Sequence, residues 1–264
     1  MLFRSEQGAE VRTVTMPYPA TAAQMADTII NAIDSRTVLA IVDHITSESA
    51  LILPVADIAK RCHAKGVKIF IDGAHVPGAI PLDITSLGVD WYSGNFHKWG
   101  WAPRSSAFLW ASKENQSGLH PVVISWGLDH GFTAEFDWVG TRDPSPFLAA
   151  PEGVVFMNEL GIDAIRTYNH ELVWKGANLI CDRVGTKFEI PETMVGCMAT
   201  IPLPQSLGST SEDAARLRDK ILFEDNIEIS LHMFRGNLWT RVSAQIYNDL
   251  TDFEKLASAI TKRM

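Results

Sequence analysis

Two apolar, β-branched runs that each stop at an aspartate constrain this chain most: Val38-Leu39-Ala40-Ile41-Val42 before Asp43, and Val67-Lys68-Ile69-Phe70-Ile71 before Asp72. Helical patterns flank them. Thr21 precedes Ala22-Ala23-Gln24 at capping-box spacing, and Met25, Ile29 and Ile33 then recur every fourth residue. Pro54 suits a helix first turn, Val55, Ile58, Ala59 and Cys62 make one face, and Gly66 closes it. A strand reading around Val89-Asp90-Trp91-Tyr92 runs into Ser93-Gly94-Asn95-Phe96-His97-Lys98, and Ser105 to Ala111 reads as one more strand. Strand, helix, strand in this rhythm predicts an α/β fold, a mostly parallel sheet with helices on both faces. Ligands of such sheets sit beyond the strand carboxyl ends, which gathers Asp43, Asp72 and Ser93 to Lys98 at one rim.

From about Phe147 the texture changes. A helix pattern with Val154, Val155, Met157 and Leu160 stops at Gly161, and a second runs from Asp163 to Val184. Strand patterns near Val195–Ile201 and Leu238–Ser243, with helices near Asp213–Glu224 and Asp252–Arg263, predict a small C-terminal α+β domain. The expected division is 1–146 for a large domain and 147–264 for the small one. Before Asp43 the chain holds fewer strand–helix units than a doubly wound domain opens with. The expectation is therefore a small sheet, or a sequence that starts inside a larger domain.

Charge and composition narrow the function. With 23 Lys and Arg against 31 Asp and Glu, the chain carries a formal charge of −8, and no basic stripe exists to displace counterions from nucleic-acid phosphates. No apolar run reaches the roughly 20 residues of a membrane span, and the first residues lack the apolar core of a secretory signal. Cys62, Cys181 and Cys197 show no CxxC spacing, so neither a disulfide framework nor a metal cage is expected. A cytoplasmic protein is the expectation.

The strongest local signal is Asp90-Trp91-Tyr92-Ser93-Gly94-Asn95-Phe96-His97-Lys98-Trp99, read with Ile71-Asp72-Gly73-Ala74-His75. A lysine after a strand end, a glycine and a histidine, among Trp91, Phe96, Trp99 and Trp101, reads as an amine in a dry pocket. Desolvation disfavours the ammonium and makes the amine a better nucleophile. A surface lysine in an aromatic-rich turn is the alternative. Asp72 reads either as a cap for the turn that follows or as an acid paired with that lysine. An aldehyde cofactor bound to lysine needs such an acid on its ring nitrogen, as pyridoxal phosphate does.

Here the sequence resembles the class V aminotransferases, the cysteine-desulfurase-like branch of fold-type I pyridoxal-phosphate enzymes, and within them the isopenicillin N epimerase-like subgroup. The resemblance rests on Asp72-Gly73-Ala74-His75-Val76-Pro77-Gly78, Gly94-Asn95-Phe96-His97-Lys98-Trp99, Ala102 to Leu109, Trp138-Val139-Gly140-Thr141-Arg142-Asp143 and Arg241 to Asn248, in the family's order. It implies pyridoxal 5′-phosphate as cofactor. Lys98 matches the lysine that holds the cofactor as an internal aldimine and moves the substrate's α proton, and Asp72 matches the partner of the ring nitrogen. His75 matches a residue beside the ring and its phenolic oxygen. His97 matches a phosphate contact, with Ser93 and Asn95 as further phosphate candidates and Ser47 as a polar neighbour of the ring oxygen. Gly140-Thr141 matches a loop that reaches the neighbouring subunit's phosphate, which implies a homodimer. Arg241, in the strand Trp239 to Ser243, matches the clamp on the substrate carboxylate, and a structural salt bridge is its alternative.

Two departures qualify the match. Cysteine desulfurases need a nucleophilic cysteine on a mobile loop, whereas Cys197 lies in the strand-like run Val195 to Ile201, so sulfur transfer is disfavoured. The family's amino-terminal phosphate-cradling turn and ring-stacking residue are not found before Glu10-Val11-Arg12, so the chain resembles the carboxyl-terminal portion of a family member. The expected activity is epimerisation or transamination of an amino acid or aminoacyl substrate. Epimerisation needs an acid on the second face, for which His120, His130 and Tyr247 are candidates. A non-catalytic structural or dimerisation module is the reading from another class. A nicotinamide oxidoreductase stands third, since no GxGxxG follows a strand.

Overall fold

The computed structural model describes residues 8–264. Its first helix, α1 (Ala22–Asn31), starts at the expected capping box, in which Thr21 and Gln24 satisfy each other's backbone N–H groups. Strand β1 (Leu39–Asp43) leads to α2 (Val55–Ala64), whose buried face is Val55, Ile58, Ala59 and Cys62. Next come β2 (Lys68–Gly73), the short α3 (Ile84–Leu87), β3 (Trp91–Asn95), the single turn α4 (Phe96–Trp99) and β4 (Ala107–Ala111). The sheet order is β1-β2-β3-β4. The first two pairings are parallel and the last is antiparallel. This is the mostly parallel sheet that the alternating runs predict.

Along β2, Ile69 and Ile71 are fully buried and join the core that contains the apolar face of α2. Burying one such side chain is worth about 1.5–3 kcal/mol, so a charge at Ile58 would break this layer. Residues of the other parity form the opposite face, where Leu39 and Ile41 are 42% and 57% exposed.

The chain continues through α5 (Phe132–Asp137), α6 (Ser145–Leu160) and the long α7 (Ile162–Val184). The division expected at 146/147 falls in the first turn of α6. Gly153 brings α6 onto the loop that follows α4: a Cβ there would lie 2.6 Å from the Gly100 carbonyl oxygen. A second sheet follows, built from β5 (Met198–Pro202), β6 (Ser230–Phe234) and β7 (Asn237–Ser243) in the antiparallel order β5-β7-β6. Helices α8 (Ser211–Asp225) and α9 (Leu250–Thr261) complete it.

The two sheets share one core. Residues of α1, α2 and β2 pack in the same apolar cluster as residues of α7, β5, α8 and α9. The segment after β1 is also stitched to the segment before β5, with Ile52 N–H donating to the Met194 carbonyl at 2.9 Å and Leu51 bridged to Val195. That stitch brings the loop after β1 onto the second sheet. Among the described residues no helix is long and apolar enough to cross a membrane.

Candidate functional site

Register puts three polar residues at one rim. Asp43, Asp72 and Ser93 stand opposite one another on β1, β2 and β3, so all three share a face. Parallel neighbours lie about 4.8 Å apart, which makes the two carboxyl groups close neighbours. Burial holds the Asp43 carboxyl above its ordinary range; the charge of Asp72 adds to this and Lys98 opposes it. One oxygen of Asp72 accepts from the Ala74 N–H at 2.9 Å, the turn cap that Asp before Gly predicts. Its second oxygen makes no hydrogen bond among the described residues, so the cap and a ligand contact are compatible.

The turn after β2 rests on α4. Gly78 has φ +90° and a Cβ there would run into the Trp99 carbonyl, so only glycine permits the approach. From the other side, the Phe96 and His97 amides both donate to the Ser106 carbonyl, at 3.1 and 3.4 Å. Between these clamps Lys98 Nζ lies 3.2 Å from His75 Nε2, and the Trp99 indole N–H donates to His75 Nδ1 at 3.3 Å. His75 is 8% exposed. Burial pushes its pKa down to about 4; the charges of Lys98 and Arg241 act the same way and Asp72 opposes them. Burial also lowers Lys98, with Asp72 and Asp43 opposing and Arg241 assisting. Lys98, Asp72, His75 and Arg241 are therefore within electrostatic reach of one another.

The expected aromatic enclosure takes another form. Lys98 is an exposed residue. Trp91 instead lies under the Lys68 amine at 5.4 Å, Phe96 packs on Phe108 at 5.2 Å and Trp101 on Phe156 at 5.6 Å. Of the four aromatics, Trp99 is the one that bonds a site residue. Position along the strand explains this for Trp91, which sits at the far end of β3 from the turn that carries Lys98.

Arg241 meets the rim from the second sheet. It stands opposite Thr200 on β5 and Ser230 on β6, and its guanidinium donates to the Ser47 carbonyl and, at 3.5 Å, to Ser47 Oγ. Among the described residues it makes no ion pair, so the structural salt bridge is not what holds it. Burial lowers its pKa, with the Glu48 charge opposing. Thr200, 1% exposed, fixes the same loop by donating to the Glu48 carbonyl at 2.6 Å. Thr200 escaped the sequence reading, although alternation along β5 marks it as a polar residue facing Arg241.

Other expected residues stand farther from this cluster or are already engaged. His97 Nδ1 donates to the Ser106 carbonyl at 2.8 Å, so only Nε2 remains for an anion. Asn95 starts α4 without a side-chain cap bond. Gly140 adopts φ +100° and Thr141 is exposed on the loop after α5, beside the exposed Trp138. Among the second-face acids, His120 Nδ1 bonds Glu135 at 2.5 Å, His130 is exposed and Tyr247 is 83% exposed. Cys197 is 2% exposed and burial raises its thiol pKa well above the ordinary range, which keeps it from acting as a nucleophile.

The donor set fits pyridoxal 5′-phosphate. A lysine lowered by burial, an acid with one oxygen to spare and a guanidinium fork without a carboxylate partner among the described residues are the groups that the aldehyde, the ring nitrogen and a substrate carboxylate would require.

Comparison with known proteins agrees. Residues 2–203 match the model of the family described as aminotransferase class-V. The chain is 34% identical to the protein named "Probable L-cysteine desulfhydrase, chloroplastic" from Arabidopsis thaliana, over 97% of this chain and 58% of the relative. It is 31% identical to isopenicillin N epimerase of Streptomyces clavuligerus, over 96% of this chain and 67% of that protein. The chain thus spans little more than half the length of the plant relative. Its fold matches the apo cysteine desulfurase of Thermococcus onnurineus NA1 with a TM-score of 0.74 at 16% identity, covering 99% of this chain and 68% of that one.

Proposed function

The chain belongs to the class V aminotransferase family, whose cofactor is pyridoxal 5′-phosphate, and from that premise we propose that it carries the reactive residues of an amino-acid-processing site. The observation that carries this reading is Lys98 beside His75 and within reach of Asp72, with the Arg241 fork free of any carboxylate among the described residues. When bound, the cofactor supplies an electron sink next to the substrate's Cα. Arg241 holds the α-carboxylate, the loop at Ser47 orients that guanidinium, and Asp72 holds the ring-nitrogen proton. Lys98, as a free amine, takes the Cα proton. His97, Asn95 and Ser93 serve the phosphate end and His75 lies beside the ring.

Among possible outcomes, β-elimination of a thiol from a cysteine-like substrate ranks first. Its support is the plant desulfhydrase relative at 34% identity. The Cα–H bond breaks with its proton going to Lys98 and its electron pair forming the Cα=Cβ bond, and the Cβ–S bond breaks with its pair leaving on sulfur, so no protein thiol is required. The buried Cys197 accords with that. Epimerisation is the second reading, supported by the Streptomyces relative; there the proton returns on the opposite face. Transamination stands behind both.

The partner is a second copy of the chain, supported by the exposed Thr141 and by the apolar run before α5, where Val122, Ile124 and Trp126 are 103%, 59% and 91% exposed. Cytoplasmic location completes the proposal, and a fluorescent fusion concentrated in an organelle would remove that part.

The test adds pyridoxal 5′-phosphate and follows the absorbance of lysine-bound cofactor, then sulfide release from L-cysteine against loss of optical rotation. Lys98→Ala should abolish the absorbance. A folded parent chain that never develops it would leave the structural-module reading in possession.

A further inference from the structure

His75 has two ring nitrogens and two neighbours, and one ring must satisfy both contacts. The Trp99 indole nitrogen is a donor only. It points at Nδ1 from 3.3 Å, so Nδ1 must carry a lone pair and no hydrogen. A ring with a bare Nδ1 is neutral and carries its hydrogen on Nε2. That Nε2–H faces Lys98 Nζ at 3.2 Å. An ammonium has three donors and no acceptor, so it would meet Nε2–H hydrogen to hydrogen; a free amine has a lone pair and accepts. The chain of contacts has one consistent assignment, Trp99 N–H to Nδ1 and Nε2–H to the lone pair of Lys98.

We propose that Trp99 is a positioning residue, whose indole N–H fixes His75 as the Nε2–H tautomer and thereby holds Lys98 as the neutral amine.

The surroundings make such a device necessary. Asp72 and Asp43 both favour the ammonium, Arg241 disfavours it, and the outer side of Lys98 is open to water. Burial alone is therefore incomplete. The charged groups that face His75 are Lys98, Arg241 and Asp72, and the first two favour the neutral ring. Trp99 is itself held, by the Gly78 turn against its carbonyl and by the small apolar cluster of Ile45, Ala50, Val76 and Cys197 against its ring. The indole is thus a fixed reference from which the proton positions of two further side chains follow.

The proposal rests on Lys98 being the reactive amine, and its test separates the two. Ring ¹⁵N spectra of the chain without cofactor should contain one histidine, lost in His75→Gln, with hydrogen on Nε2 and a bare Nδ1 at neutral pH. In Trp99→Phe, which keeps the ring but removes the donor, that hydrogen should redistribute toward Nδ1. The pH midpoint for borohydride trapping of pyridoxal 5′-phosphate on Lys98, located by peptide mass, should then rise by about one unit, cutting trapping near neutral pH roughly tenfold. A wild-type His75 that carries its hydrogen on Nδ1, or on both nitrogens, overturns the proposal whether or not Trp99→Phe folds. So does a folded Trp99→Phe with unchanged tautomer and midpoint. Absence of any trapping with the predicted ring spectrum would instead strike the functional reading and leave the tautomer assignment standing.

Discussion

The two ends of the first sheet each bring an aspartate into partial burial, and they treat it in opposite ways. At the end where β2 and β3 begin, Asp90 accepts from His63 Nε2, the Ile69 N–H and Asn115 Nδ2, each at 2.8 Å. Burial pushes Asp90 up, but these donors outweigh it and hold the carboxyl below its ordinary range. At the other end, Asp43 has no such donors among the described residues; burial and then Asp72 raise it, with Lys98 opposing. A carboxylate with donors on both oxygens joins elements together. One left short of donors beside an amine marks where a ligand completes the set.

The largest test of that contrast is Asp90→Ala, which orphans the Ile69 amide and Asn115 and should cost about 3 kcal/mol in urea unfolding. A cost below that of Asp43→Ala would break the comparison. Arg241→Lys should come next. It keeps the charge but loses the fork, so the KM for an amino-acid substrate should rise about tenfold with kcat changed less. Trp126→Glu should then lower self-association in sedimentation velocity, which probes the loop proposed to reach a second copy. The smallest effect is Asp43→Asn, within about 0.5 kcal/mol of the parent in urea unfolding.

Acid sharpens the contrast, because the two aspartates respond with opposite signs. Asp90, held low, stabilises the fold above about pH 3.9, and that contribution is lost as pH falls through its folded value. Asp43, held high, contributes below about pH 3.9 and loses that contribution as pH rises through its folded value. Asp43→Asn should therefore gain on the parent as the solution moves from about pH 4 to pH 7. Two histidines act earlier on the acid side. His44 and His75 are both pushed down to about 4, so stability present above the unfolded value of 6.5 should decline as pH falls from 6.5 toward 4. Urea midpoints of the parent and His44→Gln over that range measure it.

The strands and helices were legible wherever local pattern and burial agree. The capping box at Thr21, the glycine stop at Gly161 and the runs that end at Asp43 and Asp72 all appear within a residue or two of their expected places. β6 was not read, because Ser230 to Phe234 has no clean alternation and forms as a strand only by pairing with β7 across the Arg235-Gly236 turn. The direction of β4 was equally hidden, since antiparallel pairing depends on the loop at 100–106. At the site, chemistry that follows a strand end was visible. Family resemblance marked Arg241 and Ser47 separately, but their contact across 194 residues had no local signal and came only from the fold. The hydrogen bond from Trp99 had no signal at all: an aromatic next to a lysine looks like packing until its N–H is seen to have a target.

Lys98 and Arg241 belong to different sheets, and the stitch at Ile52 and Met194 lies beside the loop that Arg241 grips. A molecule that held both groups would act as a third fastener between the sheets. Its affinity would then appear as added heat resistance of the whole chain, and the two sheets would melt together in a single sharper event.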